Sequence, residues 1–129
     1  MIAVDTSALM AIILEEPAAQ ACRDVLEKDG QVLISAGTLV EALIASGKRG
    51  LADVMAFLIA EFEFTVVPVT EAEAKRAAAA HGRWGRGVHP AGLNLGDCFA
   101  YAVARHNKCP LLFIGNDFSK TDIEPAIRQ

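Results

Sequence analysis

The sequence predicts an α/β fold, a mostly parallel central sheet flanked by helices, across a single domain of residues 1–129. Three observations predict it. Short β-branched apolar runs alternate with longer segments of helical periodicity. Gly, Pro and Asp punctuate the joins. No repeat, low-complexity tract or linker divides the chain.

Met1–Val4 reads as a buried strand, and Asp5-Thr6-Ser7 as the helix cap for a helix over Ala8–Glu15. Pro17 suits the first turn of a second helix running to about Lys28. After an Asp29-Gly30 turn, Gln31–Ser35 is the second strand, and Gly37-Thr38 leads into a helix through Ser46. Gly47 and Gly50 interrupt the pattern around Lys48 and Arg49. Leu51–Phe62 resumes it with apolar residues at helical spacing. Phe64–Val69 is the third strand. Thr70 and Glu73 have capping-box spacing and open a helix to about His81. Gly82–Leu95 is the one long irregular stretch. A helix from about Leu95 to His106 and a strand over Leu111–Ile114 follow, with a short fifth element within Thr121–Ile127.

Composition narrows the function. The chain is 53% hydrophobic and 22% charged, which excludes disorder. Mean hydropathy is positive, +0.32. The apolar run Ala8–Leu14, however, is far short of the roughly 18 to 20 residues that span a bilayer, and no basic leader precedes it. A cytoplasmic location away from membranes is the expectation, with the surplus apolarity serving an oligomer or partner surface. Cys22, Cys98 and Cys109 have no metal or redox spacing and read as buried thiols. The three histidines lack ligand spacing, so a zinc site is rejected. No glycine-rich phosphate loop follows a strand. A net charge of −4 speaks against a simple nucleic-acid-binding module but not against a nuclease that gathers carboxylates around metal.

The acids stand at strand exits and helix starts. Asp5 follows the first strand, Glu41 lies in the first turn of the helix after the second, Asp97 opens the helix near Leu95, and Asp117 follows the fourth strand. In parallel α/β sheets the site lies beyond the carboxyl ends of the strands. Acids converging there repel one another unless cations neutralise them, and hard oxygen donors select Mg²⁺ or Mn²⁺. Each acid taken alone also suits a cap or a turn. The apolar neighbours of Glu41 and Asp97 favour the metal reading, because a half-buried carboxylate without a partner is costly.

Four segments in this order resemble PIN domains of the VapC toxin class. They are Ile2-Ala3-Val4-Asp5-Thr6-Ser7-Ala8-Leu9, Thr38-Leu39-Val40-Glu41-Ala42, His89 to Cys98, and Leu112 to Phe118 with Thr121-Asp122-Ile123 after it. The resemblance implies a PIN-like three-layer sandwich and a metal-dependent endoribonuclease using metal-activated water. It also implies a VapB-like antitoxin and a homodimer. Asp5, Glu41 and Asp97 match the three core acids. Asp117 is taken as the fourth, with Asp122 as alternate and Asn116 as a neutral oxygen donor. Thr6 and Ser7 match small hydroxyls near the metal. Arg83, Arg86 and His89, with Trp84 between them, are candidate RNA contacts through phosphate pairing and base stacking. A non-catalytic PIN-like interaction module and a DNA-directed metal nuclease are the competing readings. The RNA substrate (tRNA, rRNA or mRNA), the number of metals and the dimer surface are left open.

Overall fold

The computed structural model describes residues 1–129. Its elements, in order, are β1 (Ile2–Val4), α1 (Thr6–Ile13), α2 (Ala19–Lys28), β2 (Val32–Ser35), α3 (Ala36–Gly47), α4 (Ala52–Glu61), β3 (Thr65–Val67), α5 (Glu71–Trp84), α6 (Leu95–His106) and β4 (Leu111–Leu112). The strands form one sheet in the order β3-β2-β1-β4, and all three pairings are parallel. β1 is therefore central, with β2 and β3 to one side and β4 to the other. The strand order reverses beside it, which is where such sheets open a crevice.

The three layers follow from the two-residue period of the strands. Ile2, Val4, Val32, Ile34 and Leu112 face one core, packed with Leu9, Ile12, Cys22, Leu26, Met55 and Leu58 of the α1–α4 layer. Ala3, Leu33 and Leu111 face the other, packed with Ala77, Ala80, Trp84, Tyr101 and Val103 of the α5–α6 layer. Leu9 is fully buried. Leu9→Ala should lower stability by about 2–5 kcal/mol, the usual cost of such a cavity, checked by urea unfolding.

Several expectations shift. α1 starts at Thr6 because Asp5 alone is the N-cap: its carboxylate accepts the Ser7 N–H at 3.0 Å. Pro17 lies in the turn before α2, not in its first turn. Helix α5 runs through Gly82 to Trp84. Ala77, Ala80 and Trp84 recur on one buried face against α6, and that packing outweighs the weak helix propensity of glycine. Thr70 makes only half of a capping box. It accepts the Glu73 N–H, but the Glu73 carboxylate turns to Arg76. The expected fifth element is a single bridge, Leu111 with Pro125. For the partner surface, the apolar residues Leu9 and Ile12 of the first helix and Met55 and Leu58 of the Leu51–Phe62 segment are sequence candidates, each also suited to the core; all four are core. The exposed apolar residues of α3 and α4 are instead Val40, Leu43, Ile44, Val54 and Phe57. No helix is long and apolar enough to cross a membrane.

Candidate active site

β1 ends in Asp5, and the need to cap α1 fixes its side chain. One carboxylate oxygen, Oδ2, accepts the Ser7 N–H. The other, Oδ1, is buried without a hydrogen-bond partner. Asp5 is 4% exposed. Burial pushes its pKa up to about 7, donation from Ser7 offsets part of this, and the charges of Asp97 and Glu41 raise it further. The Ser7 hydroxyl accepts the Ile114 N–H at 3.0 Å and so ties the start of α1 to the exit of β4.

Asp97 is the third residue of α6 and is held by a full capping box. Asn94 accepts the Asp97 N–H at 2.9 Å, and Asp97 Oδ2 accepts the Asn94 N–H at 3.0 Å. Burial raises the Asp97 pKa to about 6, against the Asn94 donation. Asp117 and Glu41 raise it further, and Arg86 opposes them. Asp117 lies exposed in the turns after β4, near enough for its charge to act on Asp97.

Glu41 stands in the second turn of α3, not the first, because that helix begins at Ala36 behind a Ser35 cap. It accepts the Thr6 hydroxyl at 2.6 Å. Its carboxylate lies directly on Gly96, so close that a Cβ there would overlap Glu41 Oε2. Thr38, fully buried, accepts a long 3.4 Å contact from Thr6 through its carbonyl, and its own hydroxyl oxygen has no partner. The fold thus brings Asp5, Glu41, Asp97 and Asp117 within electrostatic reach at the carboxyl ends of β1 and β4, with Thr6 and Ser7 among them.

At these side-chain positions no three of the acids close into a ready metal shell. Glu41 is turned to Thr6 and Asp97 to Asn94. The donor set nevertheless fits a hard divalent cation. It consists of carboxylate and hydroxyl oxygens, it includes the orphaned Asp5 Oδ1, and burial opposes its ionisation until positive charge is supplied.

Asp122 is not part of this cluster. It accepts the Tyr101 hydroxyl at 2.6 Å and lies 3.7 Å from both Arg83 and Arg105. Asn116 lines a separate pocket with Phe113, Ser119 and Gln129. Arg83 and Trp84 belong to helix α5 rather than to the loop. Trp84 is 9% exposed and donates its indole N–H to Tyr101 at 2.9 Å, so it is core and offers no stacking face for a base. His89 organises the loop: its Nδ1 accepts the Ala91 N–H, and its ring meets Trp84 edge-on. Of the three expected RNA contacts, Arg86 is the one whose charge acts on the carboxylates. Sequence reasoning missed Gly96, Thr38 and Asn94. Only Asn94 carried a signal, since Asn94-x-x-Asp97 has capping-box spacing.

The PIN domain family model matches residues 2–124. The chain is 42% identical over 128 residues to ribonuclease VapC28 of Mycobacterium tuberculosis, covering 96% of each chain. It is 39% identical over 127 residues to ribonuclease VapC42 of the same organism, covering 95% of this chain and 97% of that one. Among solved structures it resembles M. tuberculosis VapC20, described as a sarcin-ricin loop cleaving toxin. That match has a TM-score of 0.78 at 19% identity over the whole of both chains. A toxin-antitoxin complex from Klebsiella pneumoniae matches with a TM-score of 0.73 at 18% identity, covering 95% of this chain and 93% of that one.

Proposed function

The chain belongs to the PIN-domain family, among its VapC ribonuclease toxins, and from that premise we propose that Asp5, Glu41, Asp97 and Asp117 hold Mg²⁺ or Mn²⁺ for endonucleolytic hydrolysis of RNA. The observation that carries this reading is the buried, partnerless Asp5 Oδ1 beside Asp97 and Glu41. These oxygens would hold the cation, which would supply an activated water and positive charge for phosphodiester hydrolysis.

The chain's own residues do the rest. The two caps, Asp5 on α1 and Asp97 in the Asn94 box, fix one oxygen of each carboxylate and leave the other for a ligand. The Thr6 hydroxyl steers Glu41. The pKa values of about 7 and 6 mean that both acids shed their protons in the neutral range, so cation binding releases protons and tightens as pH rises. Asp117, exposed at the mouth, is the acid best placed to meet solvent and to orient a water or a second cation. Arg86, whose charge acts on Asp97, is the basic residue assigned to the RNA phosphate. Asp122 drops out of the ligand set because Tyr101 and two arginines occupy it.

A VapB-like antitoxin and a second copy of the chain are the protein partners of this reading. The apolar surface of α3 and α4, with Phe57 70% exposed, supports it.

The direct test incubates the purified protein with total cellular RNA in Mg²⁺, in Mn²⁺ and in EDTA, with single-stranded DNA as competitor. Cleavage that requires the cation and survives DNA competition is expected. Undiminished cleavage in EDTA would exclude the metal role, and preferential cutting of the DNA would exclude the RNA assignment.

A further inference from the structure

The outer face of the α5–α6 layer carries a cavity of about 320 Å³ that the carboxylate site does not use. Arg76, Arg83, Arg105 and His106 line it over a floor that includes Trp84 and Tyr101, with Glu73 and Asp122 paired to the arginines at its edge. Three arginines against two carboxylates leave it a net positive site in a chain of net charge −4.

The arginines are differently held. Arg76 is committed, with two hydrogen bonds to Glu73. The guanidinium groups of Arg83 and Arg105 each lie 3.7 Å from the same Asp122 oxygen, an ion-pair distance, and make no side-chain hydrogen bond within the protein. Their side chains are 62% and 53% exposed. Both guanidinium forks therefore keep their N–H donors for a ligand. Both are also pre-positioned. The Trp84 indole donates to Tyr101, Tyr101 donates to Asp122, and Asp122 draws in the two guanidinium groups. Arg83 is further stacked over the Trp84 ring at 4.6 Å. A planar fork held in place loses little freedom on meeting a phosphate, which is the group its geometry matches.

The cavity shares no lining residue with the acids, but the end of α5 lies near both: Leu93, next to Asn94 and its Asp97 box, donates its N–H to the Trp84 carbonyl and accepts the Arg86 N–H, each at 3.0 Å. Arg83 is in the last turn of α5, and Arg86 follows just beyond its end, close enough to act on Asp97. Arg83 thus lines the cavity, and Arg86 follows beyond the helix against the backbone that leads into Asp97. We propose that the Arg83–Arg105 cavity is a second RNA-binding site, which grips the phosphodiester backbone of the substrate away from the cleaved bond. Asp122 acts there as a positioning residue. This rests on the ribonuclease assignment and adds a place where the remainder of the RNA is held.

The test measures binding in EDTA, so that it is independent of metal and of cleavage. The probe is a fluorescein-labelled 20-nucleotide single-stranded RNA of mixed sequence, followed by anisotropy across a salt series. Arg83→Gln/Arg105→Gln should weaken Kd about tenfold and reduce the slope of log Kd on log salt by about 1.4, the value for two lost phosphate contacts on a single strand. The paired lysine variant should recover the slope, and a thermal melt establishes that both variants are folded. No measurable binding by the wild-type protein in EDTA overturns the proposal, and so does an unchanged slope in a folded glutamine variant. If a poly-glutamate peptide depends on these arginines and the RNA does not, the cavity serves an acidic protein segment and the RNA site is excluded. The ribonuclease assignment is tested separately, by cation-dependent cleavage of total RNA by the unaltered protein.

Discussion

Asp5→Asn should abolish RNA cleavage, by about a thousandfold or more, while making the metal-free protein more stable at pH 8. The activity loss has the scale expected when a charge acting on the transition state is removed. The gain in stability follows from the raised pKa. An unfolded Asp ionises near 3.8, whereas Asp5 in the fold ionises at about 7. Between those values the folded state binds the extra proton, so folding stability falls as pH rises through this window and stays low above it. The difference corresponds to about 4 kcal/mol at most. Asparagine is neutral, can still accept the Ser7 N–H as an N-cap and carries no such loss. The variant should therefore melt higher than the wild-type protein at pH 8 in EDTA, by as much as about 10 °C. The two should converge near pH 4. Asp97, raised to about 6, has the same sign and leaves a smaller slope in the variant. A wild-type melting temperature that does not fall between pH 5 and pH 8 in EDTA would show that Asp5 is not buried as a proton-holding acid. Retained cleavage by the variant would remove it from the site.

Gly96→Ala is the second large effect, and it separates geometry from charge. The added methyl group would overlap Glu41 Oε2. The obstructed atom is the far end of a flexible, partly exposed side chain, so the carboxylate can swing away from Thr6 at little cost. Replacing a helical glycine also contributes about 1 kcal/mol in favour of the fold. Stability should thus change by less than about 1 kcal/mol. Cleavage should fall about a hundredfold, because a ligand displaced by an ångström loses that much alignment. Gly37→Ala is the contrasting control. Its Cβ would meet the Phe99 ring at 2.6 Å between α3 and α6, so it should destabilise. Wild-type cleavage by Gly96→Ala would mean that Glu41 need not occupy its observed position.

The sequence carried the layers well, because alternation of two and periodicity of 3.6 are both local signals. It carried Asp5 well for the same reason: an acid between a strand and a helix has few places to be. It placed Glu41 a turn too early, since Ser35 is at once the last residue of β2 and the N-cap of α3, which leaves no residues between strand and helix to mark the join. It ended α5 at His81, because Gly82 stops a helix only when no neighbour demands its continuation, and here the buried Ala77–Ala80–Trp84 face packs on α6. Along the chain Asp122 stands as the alternate to Asp117. What separates them is Tyr101, which lies 21 residues away in sequence and 2.6 Å away in space. Contacts of that kind, like the seating of Glu41 on Gly96, leave no local pattern to read.

The central position of β1 bears on how such a toxin is made. The first strand synthesised lies between β2 and β4, and its open side is completed only when residues 111 and 112 pair with it. The four proposed acids come from positions 5, 41, 97 and 117, so a growing chain has no complete cluster until Asp117 has been added. On the proposed assignment, a chain that has not yet reached Asp117 lacks the full cation site, however well its earlier strands are paired.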